Sequence, residues 1–276
     1  MELEIYQSIT KILEPKIIEP KKATKNSKHI LLVHGFATDS RSWKLFVEKN
    51  KKNYIHLINL PGHGSIEYSW RELDFEFIVN TIVQYILEID SKKVILMGHS
   101  FGAGISLVVN EKLFKMGSSK VDKLILLAPY TKYSIPKVYN KIPLFNVKSL
   151  EDFLQLQDQI FSNPMTTLQK LKEYLYEKES VIFFKEHWKY LKFIIFQMSR
   201  PSTFSKINNA MEYINKNTYI LLGEHDRLVP SEILTDKFRT INPSVYISLY
   251  RECGHGFFVE KDSYFFLEIE KIISMK

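Results

Sequence analysis

The stretch LMGHSFGAG, Leu96–Gly104, decides how this chain is read. An apolar run, Lys93–Met97, leads into it, and Ile105, Val108, Val109 and Leu113 follow at helical spacing. Gly98 and Gly102 stand two residues either side of Ser100. In a strand-to-helix turn this sharp, side chains at both glycine positions would clash, and the serine itself sits on strained backbone with its hydroxyl raised. The same letters would also serve a plain packing turn, because glycine and serine suit any tight turn. With 10 glycines in 276 residues, roughly 0.03 occurrences of G-x-S-x-G are expected by chance. The partners of Ser100 must therefore come from the rest of the chain.

Outward from this turn, short apolar runs alternate with amphipathic ones. The strand candidates are His29–Val33, Ile55–Leu60, Lys93–Met97 and Lys123–Leu127, then TYILLGEHD and VYISLY. Unbroken runs such as ILLV, VILM and LILL suit strands buried on both faces, as in parallel sheets. Between them Phe75, Ile78, Val79, Ile82, Val83, Ile86 and Leu87 recur at three-and-four spacing, and helices are expected from Ser231 and through Phe265, Ile269 and Ile272. From Ser149 to about Lys216 only helical patterns appear: one behind a Ser149/Asp152 capping box, one after Pro164, one over Ser180–Met198 and one after Pro201. The reading is an α/β core, mostly parallel and doubly wound, interrupted by a helical insertion.

In such a sheet, ligand chemistry gathers at the carboxyl ends of the strands. The polar and glycine segments HGF, LPGHG, GHSFG, APY, GEHD and CGHG all follow strand candidates. For Ser100 to act as a nucleophile it needs a base, and the base needs an orienting acid. His255 and Asp226 each follow a predicted strand, so the order Ser100, Asp226, His255 converges on one edge. Glu224 is a rival acid nearer its strand, and Asp122 precedes its strand and falls at the wrong end. The alternative is a packing turn, with Asp226 capping the next helix and His255 satisfied locally.

A developing oxyanion needs preorganised donors. The backbone N–H groups of Phe101, directly after the nucleophile, and Phe36, in the His34-Gly35-Phe36 loop, are the candidates, with Ala37 behind. His34 and His63 are expected to order loops, and His99 to pack beside the elbow. No spaced set of carboxylates or thiols accompanies these histidines, so no metal and no cofactor is called for. Cys253 reads as a small buried filler.

Composition bounds the rest. The chain holds 45% hydrophobic and 13% aromatic residues, enough for a sizeable core. Its net charge of +7 is dispersed, and the basic stretch Lys16–Lys28 lacks interleaved aromatics, so it is expected to be a solvated tail or loop rather than a nucleic-acid site. A lone cysteine rules out an internal disulfide and, with no signal-type apolar segment, points to the cytoplasm. No run is long enough for membrane insertion, which leaves only transient contact with a lipid surface. Oligomeric state stays open.

The motifs LLVHGF, NLPGHG, LMGHSFGAG, LILLAP, LLGEHDRLVP and CGHGFFVEKD, spread in order from Lys28 to Ile273, resemble those of the α/β-hydrolase family in its capped serine esterase and lipase branch. The resemblance implies a core of residues 1–130 and 217–276, with 131–216 as a helical cap inserted after the sixth family strand. A serine rather than an aspartate at position 100 separates the chain from the dehalogenase and epoxide hydrolase branches. The implied activity is hydrolysis of carboxylic esters with short-to-medium acyl groups, or of small lipid esters, through an acyl-enzyme on Ser100. An acyl-thioester hydrolase, a carbon–carbon hydrolase and a non-catalytic ligand-binding member are the alternatives. Phe183, Trp188 and Phe196 are the candidates for the substrate pocket.

Overall fold

In the computed structural model of this protein, which describes residues 9–134, 142–171 and 177–275, the apolar runs become one sheet. Its strands are β1 (Lys16–Ile18), β2 (His29–Val33), β3 (Tyr54–Leu57), β4 (Val94–His99), β5 (Val121–Leu127), β6 (Thr218–Gly223) and β7 (Tyr246–Tyr250). The spatial order is β1-β3-β2-β4-β5-β6-β7. β1 runs antiparallel to β3, and every other pair is parallel. All residues of β4 and β6 are buried, which is why their sequences show no polar alternation.

Helices cover the faces. After α1 (Lys44–Lys49) comes α2 (Phe75–Glu88), which begins where Asp74 accepts the N–H groups of Glu76 and Phe77 and turns Ile78, Val79, Ile82 and Ile86 inward. α3 (Phe101–Lys115) starts at the elbow and packs against β4, β5 and α2. Between β5 and β6 the described chain is helical: α4 (Leu150–Ile160), α5 (Pro164–Leu171), α6 (Glu177–Ser199) and α7 (Pro201–Met211), behind short 3-10 turns. The capping box forms as expected, with Asp152 N–H donating to Ser149 Oγ at 3.2 Å and Ser149 N–H to Asp152 Oδ2 at 2.9 Å. Phe145, Val147, Phe153, Leu156, Phe184 and Leu191 give this insertion a small core of its own. Parts of the proline-interrupted segment (135–141) and of the insertion (172–176) lie outside the described residues. The chain closes with α8 (Ser231–Ile241), α9 (Phe257–Glu260) and α10 (Asp262–Ser274), the last burying Phe265, Ile269 and Ile272.

Two expectations need correction. Lys16–Ile18, expected within a solvated tail or loop, is the edge strand β1, which is three residues long with Ile17 53% exposed. So short and half-solvated an edge leaves little periodicity to read. The strand expected over Ile55–Leu60 leaves the ladder at Leu57, although Ile58 and Leu60 remain fully buried. Burial without strand pairing produced the longer apolar run.

Register aligns the functional edge. Val33 pairs with Gly98, His99 with Leu127, and Gly223 with Tyr250. The loops after β2, β4, β6 and β7 therefore leave the sheet at the same end.

Candidate active site

Ser100 joins β4 to α3 at φ 52° and ψ −119°, a conformation that costs on the order of 1–3 kcal/mol for a residue with a Cβ. The surroundings hold it there. Ser100 N–H donates to Leu127 O (2.8 Å), and Ser100 O accepts from Ala103, Gly104 and Tyr130, each at 3.0 Å. The glycines are sterically required: a Cβ on Gly102 would stand 2.2 Å from His34 O, and one on Gly98 2.6 Å from Gly102 O.

His255, in the loop between β7 and α9, is 4% exposed. Its Nδ1 lies 2.7 Å from Asp226 Oδ2. A carboxylate only accepts, so Nδ1 carries a proton, and in the neutral ring this tautomer leaves Nε2 its lone pair. Asp226, also 4% exposed, is fixed in turn, because its Oδ1 accepts the N–H groups of Leu228 (2.7 Å) and Val229 (2.8 Å). Glu224 is directed elsewhere and accepts from Glu252 N–H at 2.9 Å. Asp122 sits near the start of β5, at the opposite end of the sheet.

The loop after β2 approaches the elbow closely, since a Cβ on Gly35 would be 3.3 Å from Ser100 Cβ. Its shape is set by two histidines. His34 Nδ1–H donates to Gly35 O (2.8 Å) while its Nε2 accepts from Leu60 N–H (2.8 Å). His63 Nδ1–H donates to Pro61 O (3.2 Å) while its Nε2 accepts from Ala37 N–H (3.1 Å), which supports Ala37 at φ 57°. Burial lowers His34 to about 4 and His63 well below the usual histidine range, so both stay neutral as these bonds require. The Ala37 N–H is thus committed to His63, whereas those of Phe36 and Phe101 have no acceptor among the described residues. His99 donates from Nε2 to His255 O (3.2 Å) and packs its ring on Phe258. Cys253 is buried, and burial pushes its thiol up to about 11.

Two connections that the sequence did not suggest tie the insertion to these loops. Glu260 Oε1 accepts from Ser162 (2.8 Å) and Asn163 (3.2 Å) N–H, while its Oε2 accepts from Gly254 N–H (2.7 Å). Gly256 N–H donates to Ile160 O at 3.0 Å. On the other side, the ring nitrogens of His187 in α6 lie 2.8 Å from Phe183 O and from Gly64 O. The only sequence cue for either was position, since Glu260 follows His255 by five residues and Gly64 follows His63.

A cavity of about 210 Å³ opens over the elbow. Gly35, Phe36, Ser100 and His255 line it from the core, and Phe153, Leu156, Phe183, Phe184 and Met198 line it from the insertion. Of the three residues expected in a pocket, Phe183 is on this wall. Trp188 packs instead against the insertion's own core, and Phe196 is 60% exposed beside Phe193. Helix phase explains the departure: at about 100° per residue, both lie about 140° around α6 from Phe183, in opposite senses. Among the described residues no cluster of three His, Cys, Asp or Glu side chains could hold a metal ion, and no helix is long and apolar enough to cross a membrane.

Residues 30–265 match the sequence profile of the Alpha/beta hydrolase family. The chain belongs to that family. It is a hydrolase by this membership, and its relatives narrow the comparison. It is 26% identical over 243 residues to "Putative esterase/lipase 2" of Mycoplasma genitalium, an alignment spanning 85% of each chain. An esterase from Exiguobacterium antarcticum superimposes with a TM-score of 0.71 at 16% identity, over 95% of both chains. A meta-cleavage product hydrolase from Pseudomonas fluorescens gives 0.69 at 13% identity, over 94% of this chain and 92% of that one. At such identities the two structures share the fold with this member of the family.

Proposed function

We propose that this α/β hydrolase is a serine esterase acting on small carboxylic esters. Ser100 Oγ attacks the ester carbonyl carbon while Nε2 of His255 takes the hydroxyl proton. Asp226 holds the imidazole by Nδ1–H and stabilises the imidazolium that forms. The N–H groups of Phe36 and Phe101 receive the negative charge on the carbonyl oxygen. As the tetrahedral centre collapses, His255 returns the proton to the departing alkoxide, leaving an acyl group on Ser100. Water then repeats the sequence, giving up a proton to His255 and releasing the acid. No external reductant, oxidant or metal enters this balance.

The observation that carries the reading is the 2.7 Å contact of Asp226 with His255, which lines the same cavity as Ser100. The esterase/lipase name of the Mycoplasma genitalium relative agrees with it. Residues 131–216 are assigned as a cap over a core of 1–130 and 217–276, on the support of the insertion's cavity wall and its ties through Glu260 and His187. The largely aromatic wall favours apolar acyl groups. A panel of p-nitrophenyl esters of increasing chain length tests the assignment: hydrolysis is expected to persist beyond acetate, and an enzyme confined to acetate, or to thioesters, would contradict it.

A further inference from the structure

Within the cavity wall, Gln157 stands apart. It lies on one face of α4 with buried Phe153 and Leu156 and half-buried Ile160, and all four line the cavity. Gln157 is only 6% exposed. A glutamine so buried normally has its amide hydrogen-bonded, because removal from water otherwise goes uncompensated. Among the described residues, the Gln157 amide has no protein partner. Ser180, on α6, which packs against α4, also lines the cavity, and among the described residues its hydroxyl has no partner either. The insertion therefore presents an amide and a hydroxyl within a mostly apolar wall that includes Phe153, Leu156, Phe183 and Phe184.

Both groups are neutral, and both can donate and accept, which complements a hydroxyl better than a charged group. The charges near the opening are already engaged: Arg41 pairs with Asp39 at 2.7 Å and reaches Glu179 at 3.7 Å, and Lys44 reaches Glu48 at 3.9 Å. The wall carrying Gln157 and Ser180 comes from the insertion, whereas the reacting groups come from the strand ends. Recognition here would thus concern a part of the substrate other than the scissile carbonyl.

We propose that Gln157 and Ser180 form a polar subsite that selects esters bearing a neutral hydroxyl group away from the bond that is cleaved. This rests on the serine esterase reading above. A site built to hydrogen-bond a substrate hydroxyl disfavours the analogue lacking it, because the buried groups are then left unpaired. The hydroxyl can belong to the acyl chain or to the alcohol, and two pairs of probes separate these sources. p-Nitrophenyl hexanoate is compared with its terminally hydroxylated counterpart, and propyl hexanoate with monohexanoylglycerol.

For the native protein, the hydroxylated member of one pair is expected to exceed its plain analogue in kcat/KM by about tenfold or more, mainly through KM. In Gln157→Met that ratio falls to about one, and in Ser180→Ala it falls part of the way. Because the readout is a ratio within one protein preparation, a variant with reduced overall turnover still decides it. Plain esters hydrolysed with no hydroxyl preference, or a preference that survives both substitutions, would overturn the subsite and leave the esterase reading standing. Failure to hydrolyse any of the four esters would overturn the esterase reading itself.

Discussion

Glu260 Oε2 accepts the Gly254 N–H at 2.7 Å, one residue before His255, while Oε1 of the same carboxylate accepts from Ser162 and Asn163 in the insertion. One side chain thus joins the loop that carries His255 to the turn between α4 and α5. Hydrogen bonds to a charged acceptor are individually stronger than neutral ones. Glu260→Ala is expected to cost about 2 kcal/mol, lowering the melting temperature by about 4 °C, and to reduce kcat by about tenfold or more. Glu260→Gln, which keeps acceptor oxygen on one side only, should fall between. Thermal melts and ester kinetics on the same preparations check this; unchanged kcat in Glu260→Ala would show that the carboxylate fastens the fold without positioning His255.

Asp226 has two tasks that substitution can separate. Asparagine keeps an oxygen for the Leu228 and Val229 N–H groups but turns an NH2 toward His255 Nδ1, which then must accept and loses the tautomer that leaves Nε2 basic. Asp226→Asn is therefore expected to lower kcat by about 10³-fold or more with a nearly native melting temperature. Asp226→Ala should lose stability as well, by about 1–3 kcal/mol, because two buried N–H groups lose their acceptor.

His63 acts on the loop after β2, which carries the proposed Phe36 donor, through a single acceptor, its Nε2 on Ala37 N–H. Removing it leaves Ala37 unsupported at a positive φ and lets the neighbouring Phe36 N–H drift from its place. His63→Ala is expected to reduce kcat by about 10- to 100-fold with a smaller change in KM. His63→Gln, whose amide oxygen can accept the same N–H, should recover part of the loss. Equal damage in both variants would contradict the hydrogen-bond account.

Acid stability follows from buried imidazoles. Burial lowers His34 and His56 to about 4 in the folded chain, against 6.5 for an ordinary histidine. Between these values the unfolded chain binds protons that the folded chain refuses, so stability rises with pH. The full contribution is present above about pH 6.5 and is lost as pH falls through about 4. For fully buried His34 the loss is on the order of 3 kcal/mol. Melting temperature measured from pH 7 to 4 should decline through this window, and less steeply in His56→Gln.

The elbow, the sheet and the order of Ser100, Asp226 and His255 were legible because each is encoded locally, by glycine spacing and unbroken apolar runs at strand ends. The links through Glu260 and His187 were not, since they depend on where a helical insertion folds back across about a hundred residues of chain. Trp188 and Phe196 show the same limit on a smaller scale. An aromatic-rich helix names its apolar residues but not the face that meets the cavity, and the phase of α6 selects Phe183, Phe184 and Met198 instead. β1 was not legible because three residues at a solvated edge carry almost no pattern.

Ser100 is the proposed nucleophile. That role is tested most directly by treating the native protein and Ser100→Ala with a fluorophosphonate probe, mapping the labelled peptide by mass spectrometry and assaying p-nitrophenyl hexanoate in parallel. A single adduct is expected on the peptide containing Ser100, with adduct and ester hydrolysis both lost in Ser100→Ala. Labelling at another residue, or native rates of hydrolysis in Ser100→Ala, would contradict it.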